Sequence, residues 1–596
     1  MAFNKYYQDE LSYLRELGVE FSRQNPGLSK FLSEEGNDPD VERLFEGVAF
    51  LTGRLRQKLD DELPEITHSL TSLLWPHYLR PLPAMSILEY KPVTSALTEG
   101  KRIERGEMVR SVSVEGTNCQ FRTCFDVDIY PIELTELNTA TNSDGSELQL
   151  KFELDPGATS ETMQMKQLRL FLHGDREMHI SQSLYLWLFR YLENVSLEVK
   201  YRDAREPARY RLGKQAVTPA GFAENEALLP YGNRSFTGYR FLQEYFSLPE
   251  KFLFVDIATD VAGLSEQMVE SFSLTFNFDR QFDSQLRLKK NHVRLFCTPI
   301  INLFEHDADP IKVDSRKLEY MVRPDYREQD HIELFSIDQV LGKQRGRSDI
   351  YTYEPFESFE HEIHNSENRN QVFYTQHRKM STLQAGVDNY VRFVDLDNRK
   401  ALPTTETISL ELTCTNRKLP ETLRAGDITY PTSNSPEFVT FKNITRVTGA
   451  LPPPVREGLH WQVIANMALH YRPLARLDSL RTLLASYDLR AMFDRQAERA
   501  SKQLLEGIVE IETKTVDRMS RGIPVRALQT RLKLRESKFG AKGIQGESSM
   551  FLFATVLSGF FAQYASINSH HQLVVEGLDN GEVYQWKIQP GLKALL

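Results

Sequence analysis

The chain contains no apolar run near the roughly 18 residues that a membrane-spanning helix needs, which excludes direct membrane insertion by helices. The opening "MAFNKYYQDELSYLREL" has no basic segment followed by an apolar one, so it is not a secretory signal and a cytoplasmic protein is expected. Cysteine is scarce. The four thiols, at 119, 124, 297 and 414, form no paired C-x-x-C motif. A disulfide framework is excluded, and reduced, mostly buried thiols are expected. Positive charge is also short: 72 Lys and Arg against 82 Asp and Glu leave −10, with no long basic block. A phosphate-binding surface concentrates positive charge on one face, so nucleic acid is not an expected partner.

The motifs of catalysis are missing too. No G-x-S-x-G elbow occurs. "GAKGIQGESS" (540–549) looks like a phosphate loop, but Gly546-Glu547-Ser548 stands where Gly-Lys-Ser/Thr is required. A carboxylate there repels phosphate, so the stretch reads as a turn from strand to helix. "HEIH", His361 to His364, has a spacing of three, whereas H-E-x-x-H sets both imidazoles one helical turn apart. It reads as an exposed polar loop; a metal-dependent hydrolase using His361 and His364 is the enzymatic alternative. "EHDADP" (305–310) has neither the length nor the glycine of an EF-hand loop. No catalytic residue, metal ligand or cofactor is assigned.

What the sequence does hold is apolar material: 41% hydrophobic and 11% aromatic residues, enough for several cores. At about 100–200 residues per domain, 596 residues predict three to five domains. The first stretch reads helical. Tyr7, Leu11, Leu14, Gly18 and Phe21 follow a heptad seam. Asp38 as N-cap and Pro39 in the first turn open a second helix, lined by Val41, Leu44, Val48, Leu51, Leu55 and Leu59. A third is expected from near Pro64 to Trp75, where Pro76 removes a backbone donor and ends it. So small a module buries little surface by itself. Heptad stripes without an obvious partner point to packing between chains; packing on the chain's own domains is the alternative.

From about residue 85, short alternating runs such as "MSILEYKPV", "ELQLKFELD" and "SFSLTFNFD" predict strands. "SSMFLFATVLSGFFAQYASIN" is apolar on nearly every face and predicts a buried helix. Asn580-Gly581 between two strand-like runs predicts a hairpin. The expected fold is multidomain α+β: an N-terminal helical bundle segment (1–82), a β-rich α+β domain (83–300), a second β-rich domain (301–455) and a C-terminal α+β domain (456–596).

Two stretches stand out. "SLLWPHYLRPLP" (72–83) sets large apolar residues among three prolines. It reads as a rigid elbow, with Trp75, Tyr78 and Leu79 as anchors against the body or a neighbouring subunit. The aromatics of 229–254 are too many for a solvent face. Most read as core, and Tyr231, Phe236 and Tyr239 are the interface candidates.

"YYQDELSYLRELGVEFSRQNP", "DPDVERLFEGVAFLTGRLRQKLDDELPEITHSLTSLLWPHYLRPLP", "LPYGNRSFTGYRFLQEYFSLPEKFLF" and "FLFATVLSGFFAQYASINSHHQLVV" together resemble the TssF (VasA, ImpG) family of type VI secretion baseplate subunits. "INLFEHDADPIKV" and "LTCTNRKLPE" fit the same pattern; "ANMALHYRPL" departs from the His-Leu-Ser-Leu-Asn run commoner at that place. The resemblance implies a non-enzymatic wedge protein of a contractile injection machine. Two copies join one TssG, and the N-terminal helices of the two proteins bundle together. The wedge carries TssK and TssE and surrounds the VgrG hub, in the cytoplasm at a baseplate associated with the inner membrane. A wedge protein of a phage-like contractile particle is the nearest alternative.

Overall fold

The computed structural model describes residues 76–591 apart from 94–96, 144, 156–164, 176, 203–205, 232–236, 260–268, 284–285, 314–316, 326–328, 345–349, 357–371, 381–386, 396–405, 454–475, 521–522 and 566–568. Before Pro76 it describes residues 7, 8, 11, 12, 14, 40, 43–54 and 71. The chain divides into two compact units, one built mainly on residues up to Leu79 and the other on those from Arg80 onward.

In the first unit, the described residues up to 71 are all helical, including the continuous stretch 43–54. Pro76–Leu79 is a short 3-10 turn. Pro76 therefore opens that turn, a place where its missing N–H breaks no helical bond.

The second unit is built on sheets. Alternation explains most strands: in Val269–Phe278, Phe272, Leu274, Phe276 and Phe278 are buried, with Ser, Thr and Asn between them. Its neighbour Ser146–Leu154 brings Phe152 opposite Phe272, and the rings stack 4.8 Å apart. These strands lie in a five-stranded sheet with Ala208–Arg211, Leu192–Tyr201 and Ile132–Thr141. A four-stranded sheet joins Val217–Pro219, Phe254–Ala258, Gln167–Leu172 and Val293–Leu295.

A six-stranded sheet runs Ile428–Tyr430, Met108–Val114, Thr117–Thr123, Cys297–Ile301, Met85–Pro92, Val439–Asn443. Met85–Pro92 is buried on both faces over its first six residues. Two further sheets, centred on Glu406–Thr415 and Val387–Asp395, share a core containing Ile408, Leu410, Leu412, Tyr353 and Val391.

Helices complete the unit: α1 (Met178–Leu186), α2 (Gly238–Ser247), α3 (Leu477–Tyr487), α4 (Leu489–Phe493), α5 (Arg495–Gly507) and α6 (Ile544–Tyr564). Of the 21 residues of α6, 14 are buried, because it packs against α1, α2 and the strand His570–Gly577. The hairpin at Asn580-Gly581 forms, with Glu576 opposite Val583 and Gly581 at φ +71°.

The linear domain boundaries need correction. Ile428–Tyr430 and Val439–Asn443, assigned to 301–455, complete the sheet of Met85–Pro92. Helix α6, assigned to 456–596, packs on two helices of 83–300. An alternating run shows that it is a strand; it carries no local mark of which distant strand it will pair with.

Candidate partner interfaces

At 100° per residue, Leu44, Val48 and Leu51 fall within about 60° of arc on one helix face. All three are open, with exposures of 65%, 37% and 69%. Ala49 and Gly53, on the other side, are buried. The described members of the sequence stripe are thus its uncovered face. Leu11 is buried, and Tyr7 and Leu14 are half-buried. Phe21, Val41, Leu55 and Leu59 lie outside the described residues.

Of the elbow anchors, Tyr78 and Leu79 are both 2% exposed, and burial pushes the Tyr78 hydroxyl above its ordinary pKa. Trp75 lies outside the described residues. The firm attachment comes from Arg80, which the sequence reading passed over. Its guanidinium donates to the Pro230 carbonyl at 3.0 Å and lies 5.1 Å from the centre of the Phe335 ring. Burial lowers the Arg80 pKa, while the charge of Asp338 opposes that shift. Two residues on, Leu82 and Leu451 exchange backbone hydrogen bonds of 2.8 and 2.9 Å. Arg80 and Leu82 therefore pin the chain where the second unit begins.

Pro230 leads into the aromatic motif. Tyr231 is half-buried and donates its hydroxyl proton to Gln243 Oε1. Phe236 lies outside the described residues. Tyr239 is a correction: it is 4% exposed, stacked on Tyr487 at 4.9 Å and 12°, with Phe560 at 6.1 Å. A ring enclosed by its own chain has no face left for a partner.

Beneath the motif lies a buried polar network. Glu244, on α2, is fully enclosed. Its Oε2 accepts from Lys251 Nζ, and its Oε1 accepts from the backbone N–H groups of Leu228 and Leu229 at 2.7 and 3.1 Å. Burial lowers the Lys251 pKa, and the Glu244 charge partly restores it. Glu226 does similar work nearby, accepting from Gly221 and Ala223 N–H at 2.7 and 3.1 Å. Arg169 spans Glu226 and Asp256, at 2.6 Å from each. Gly221 sits at φ +93°, and a Cβ there would meet the Lys251 carbonyl at 2.6 Å. Only glycine suits that turn. The carboxylates are committed to holding the loop 221–231, not to proton transfer.

The other sequence candidates resolve structurally. Gly543, at φ +88°, precedes α6, and Glu547 in its first turn accepts from Tyr191 and Tyr584 hydroxyls at 2.7 and 2.8 Å. That glutamate ties three segments together where a phosphate loop would need a lysine. The four cysteines are buried free thiols. His361 and His364 lie outside the described residues. Among the described residues, no group of three or more His, Cys, Asp or Glu is placed to hold a metal ion.

The family model "Type VI secretion system, TssF" matches residues 1–593, and the chain belongs to that family. A relative, the type VI secretion system component TssF1 of Pseudomonas aeruginosa, is 28% identical over 98% of both chains. Among solved structures, a chain of the type VI secretion system TssK-TssF-TssG baseplate subcomplex superposes with a TM-score of 0.76 at 29% identity, covering 92% of this chain and 98% of that one. A chain of the baseplate complex from the type VI secretion system, at 24% identity and a TM-score of 0.60, shares the fold over the full length of both.

Proposed function

We propose that this chain is a non-enzymatic wedge subunit of a type VI secretion baseplate, working in the cytoplasm at a baseplate associated with the inner membrane. It joins TssG-type and TssK-type subunits and a second copy of itself, and the assembly carries TssE and surrounds a VgrG hub. Its task is geometric: to hold these partners in fixed orientation so that the sheath can assemble. The observation that carries the reading is the open stripe Leu44, Val48, Leu51, three large apolar side chains in solvent on one helix face. A helix face of that kind gains stability when another amphipathic helix covers it. The likeness to a chain of a TssK-TssF-TssG subcomplex supports a TssG-type helix as the cover.

The test is co-expression with the TssG-type protein of the same organism, followed by light scattering after size exclusion. A complex heavier than either chain is expected. It should be lost on deletion of residues 1–80 and weakened by Leu44→Asp with Leu51→Asp. An unweakened complex in the double variant would refute the stripe as the contact. No complex with the intact chain would refute the wedge role.

A further inference from the structure

A glycine interrupts the helix that carries the open stripe. Gly47 lies in the middle of the continuous helical stretch 43–54 and is exposed. After proline, glycine is the least favourable residue in a helix interior, because it loses the most backbone freedom and brings no side chain. Two reasons commonly retain it, and neither applies here. Gly47 is not among the glycines at positive φ, so its backbone conformation suits any residue. A Cβ built on it would meet no atom of the described residues within 4 Å, so their packing does not forbid a side chain. The remaining reason for a glycine is close approach by a group from outside the chain.

The surroundings say what kind of group. Residues three and four apart are neighbours on a helix surface. Those around Gly47 are Arg43, Leu44, Phe50 and Leu51, and all four are exposed. Long side chains thus ring a position that has none, and the floor of the notch is helix backbone. Three of its walls are apolar. A facing helix packs by setting one side chain into a hole bounded by four residues. A hole with glycine at its floor is deeper than one floored by a side chain, and apolar walls suit a large apolar occupant. We infer that Gly47 is the socket for one large apolar side chain of the TssG-type helix that covers this face. The inference rests on the function proposed above and adds the point at which the two helices interlock.

Filling the socket tests it. Full-length Gly47→Leu and Glu46→Leu are each co-expressed with the TssG-type protein of the same organism. The dissociation constant is read from a dilution series after size exclusion, and the urea midpoint is measured on the free chain. Glu46 lies about 160° round the helix from Leu44, outside the stripe, so Glu46→Leu should bind as the natural chain does. Gly47→Leu should keep or raise the midpoint of the free chain, because leucine is the better helix former. It should also weaken the complex by roughly tenfold or more, because overfilling a packed contact is destabilising. Binding of Gly47→Leu at full strength would overturn the socket and leave the TssG-type contact standing. Equal weakening by Glu46→Leu would overturn it too, since the effect would not belong to the notch. A lowered midpoint for free Gly47→Leu would overturn it by showing that the chain fills the notch itself. No complex with the natural chain would refute the function proposed above, and the socket with it.

Discussion

Glu244→Leu is the substitution with the largest expected structural effect. It deletes the partner of Lys251, an ammonium with no exposed surface, and the acceptor of two buried backbone donors at Leu228 and Leu229. Breaking a buried ion pair from one side costs ~3–5 kcal/mol, because the remaining charge is left without compensation. Each of the two orphaned donors adds ~1–3 kcal/mol. A loss of roughly 5–11 kcal/mol is comparable with the entire stability of an ordinary domain. In Glu244→Leu with Lys251→Met, the Lys251 charge is removed along with its partner, and the cost of the two N–H groups remains together with that of Arg240, whose buried guanidinium also lies 3.9 Å from Glu244. The double variant should therefore be more stable than the single one by about 3–5 kcal/mol. The assay is urea denaturation followed by tryptophan fluorescence, to which Trp187, buried in the same unit, contributes. A double variant no more stable than Glu244→Leu would refute the argument that a stranded charge dominates.

Three further outcomes are expected. His571 is held neutral, its pKa pulled down by burial to about 4 from an ordinary 6.5. Above pH 6.5 neither state binds the proton and the stability is intact. As pH falls from 6.5 towards 4 only the unfolded chain takes it up, and about 3 kcal/mol is lost. His571→Gln should reduce the pH slope of the urea midpoint in that window without removing it, because burial pulls His173 down to about 4 as well, and an unchanged slope would refute the assignment. Arg80→Met should lower stability by ~1–3 kcal/mol through the bereft Pro230 carbonyl and the lost ring contact; an unchanged midpoint would mean that Leu82 alone pins the chain. The four thiols should react with an aromatic disulfide reagent only at the rate of unfolding, and fast labelling of any one in the native chain would contradict its burial.

Much of the fold was legible where the signal is local. Val269–Phe278 shows its buried face by alternation, and Asn580-Gly581 shows its turn through the backbone freedom of glycine. The heptad positions 44, 48 and 51 lie on one exposed helix face, and periodicity alone cannot say whether a stripe is covered. Sheet order was not legible: Met85–Pro92 chooses partners at 297–301 and 439–443, and nothing within eight residues encodes that choice. Polar residues misled for a related reason. Glu244 within "FLQEYF" resembles a surface charge until Lys251 and the loop close over it. Arg80 hides its role in the same way, since its acceptor comes from residue 230. Tyr239 was misassigned because an aromatic suits a core and an interface equally well; the position of Tyr487 decides between them.

The position of Met85–Pro92 has a mechanical consequence. The strand follows Arg80 and Leu82 directly, and its residues are registered with Cys297–Ile301 on one side and Val439–Asn443 on the other. Tension applied to the residues ahead of it acts along the strand axis, parallel to both neighbours. The sheet is then loaded in shear, and the hydrogen bonds on both sides must yield together instead of opening one at a time like a zip. Such a load would be borne by a strand whose first six residues are all buried, while the outlying Ile428–Tyr430 and Val439–Asn443 would be free to yield first under loads from other directions.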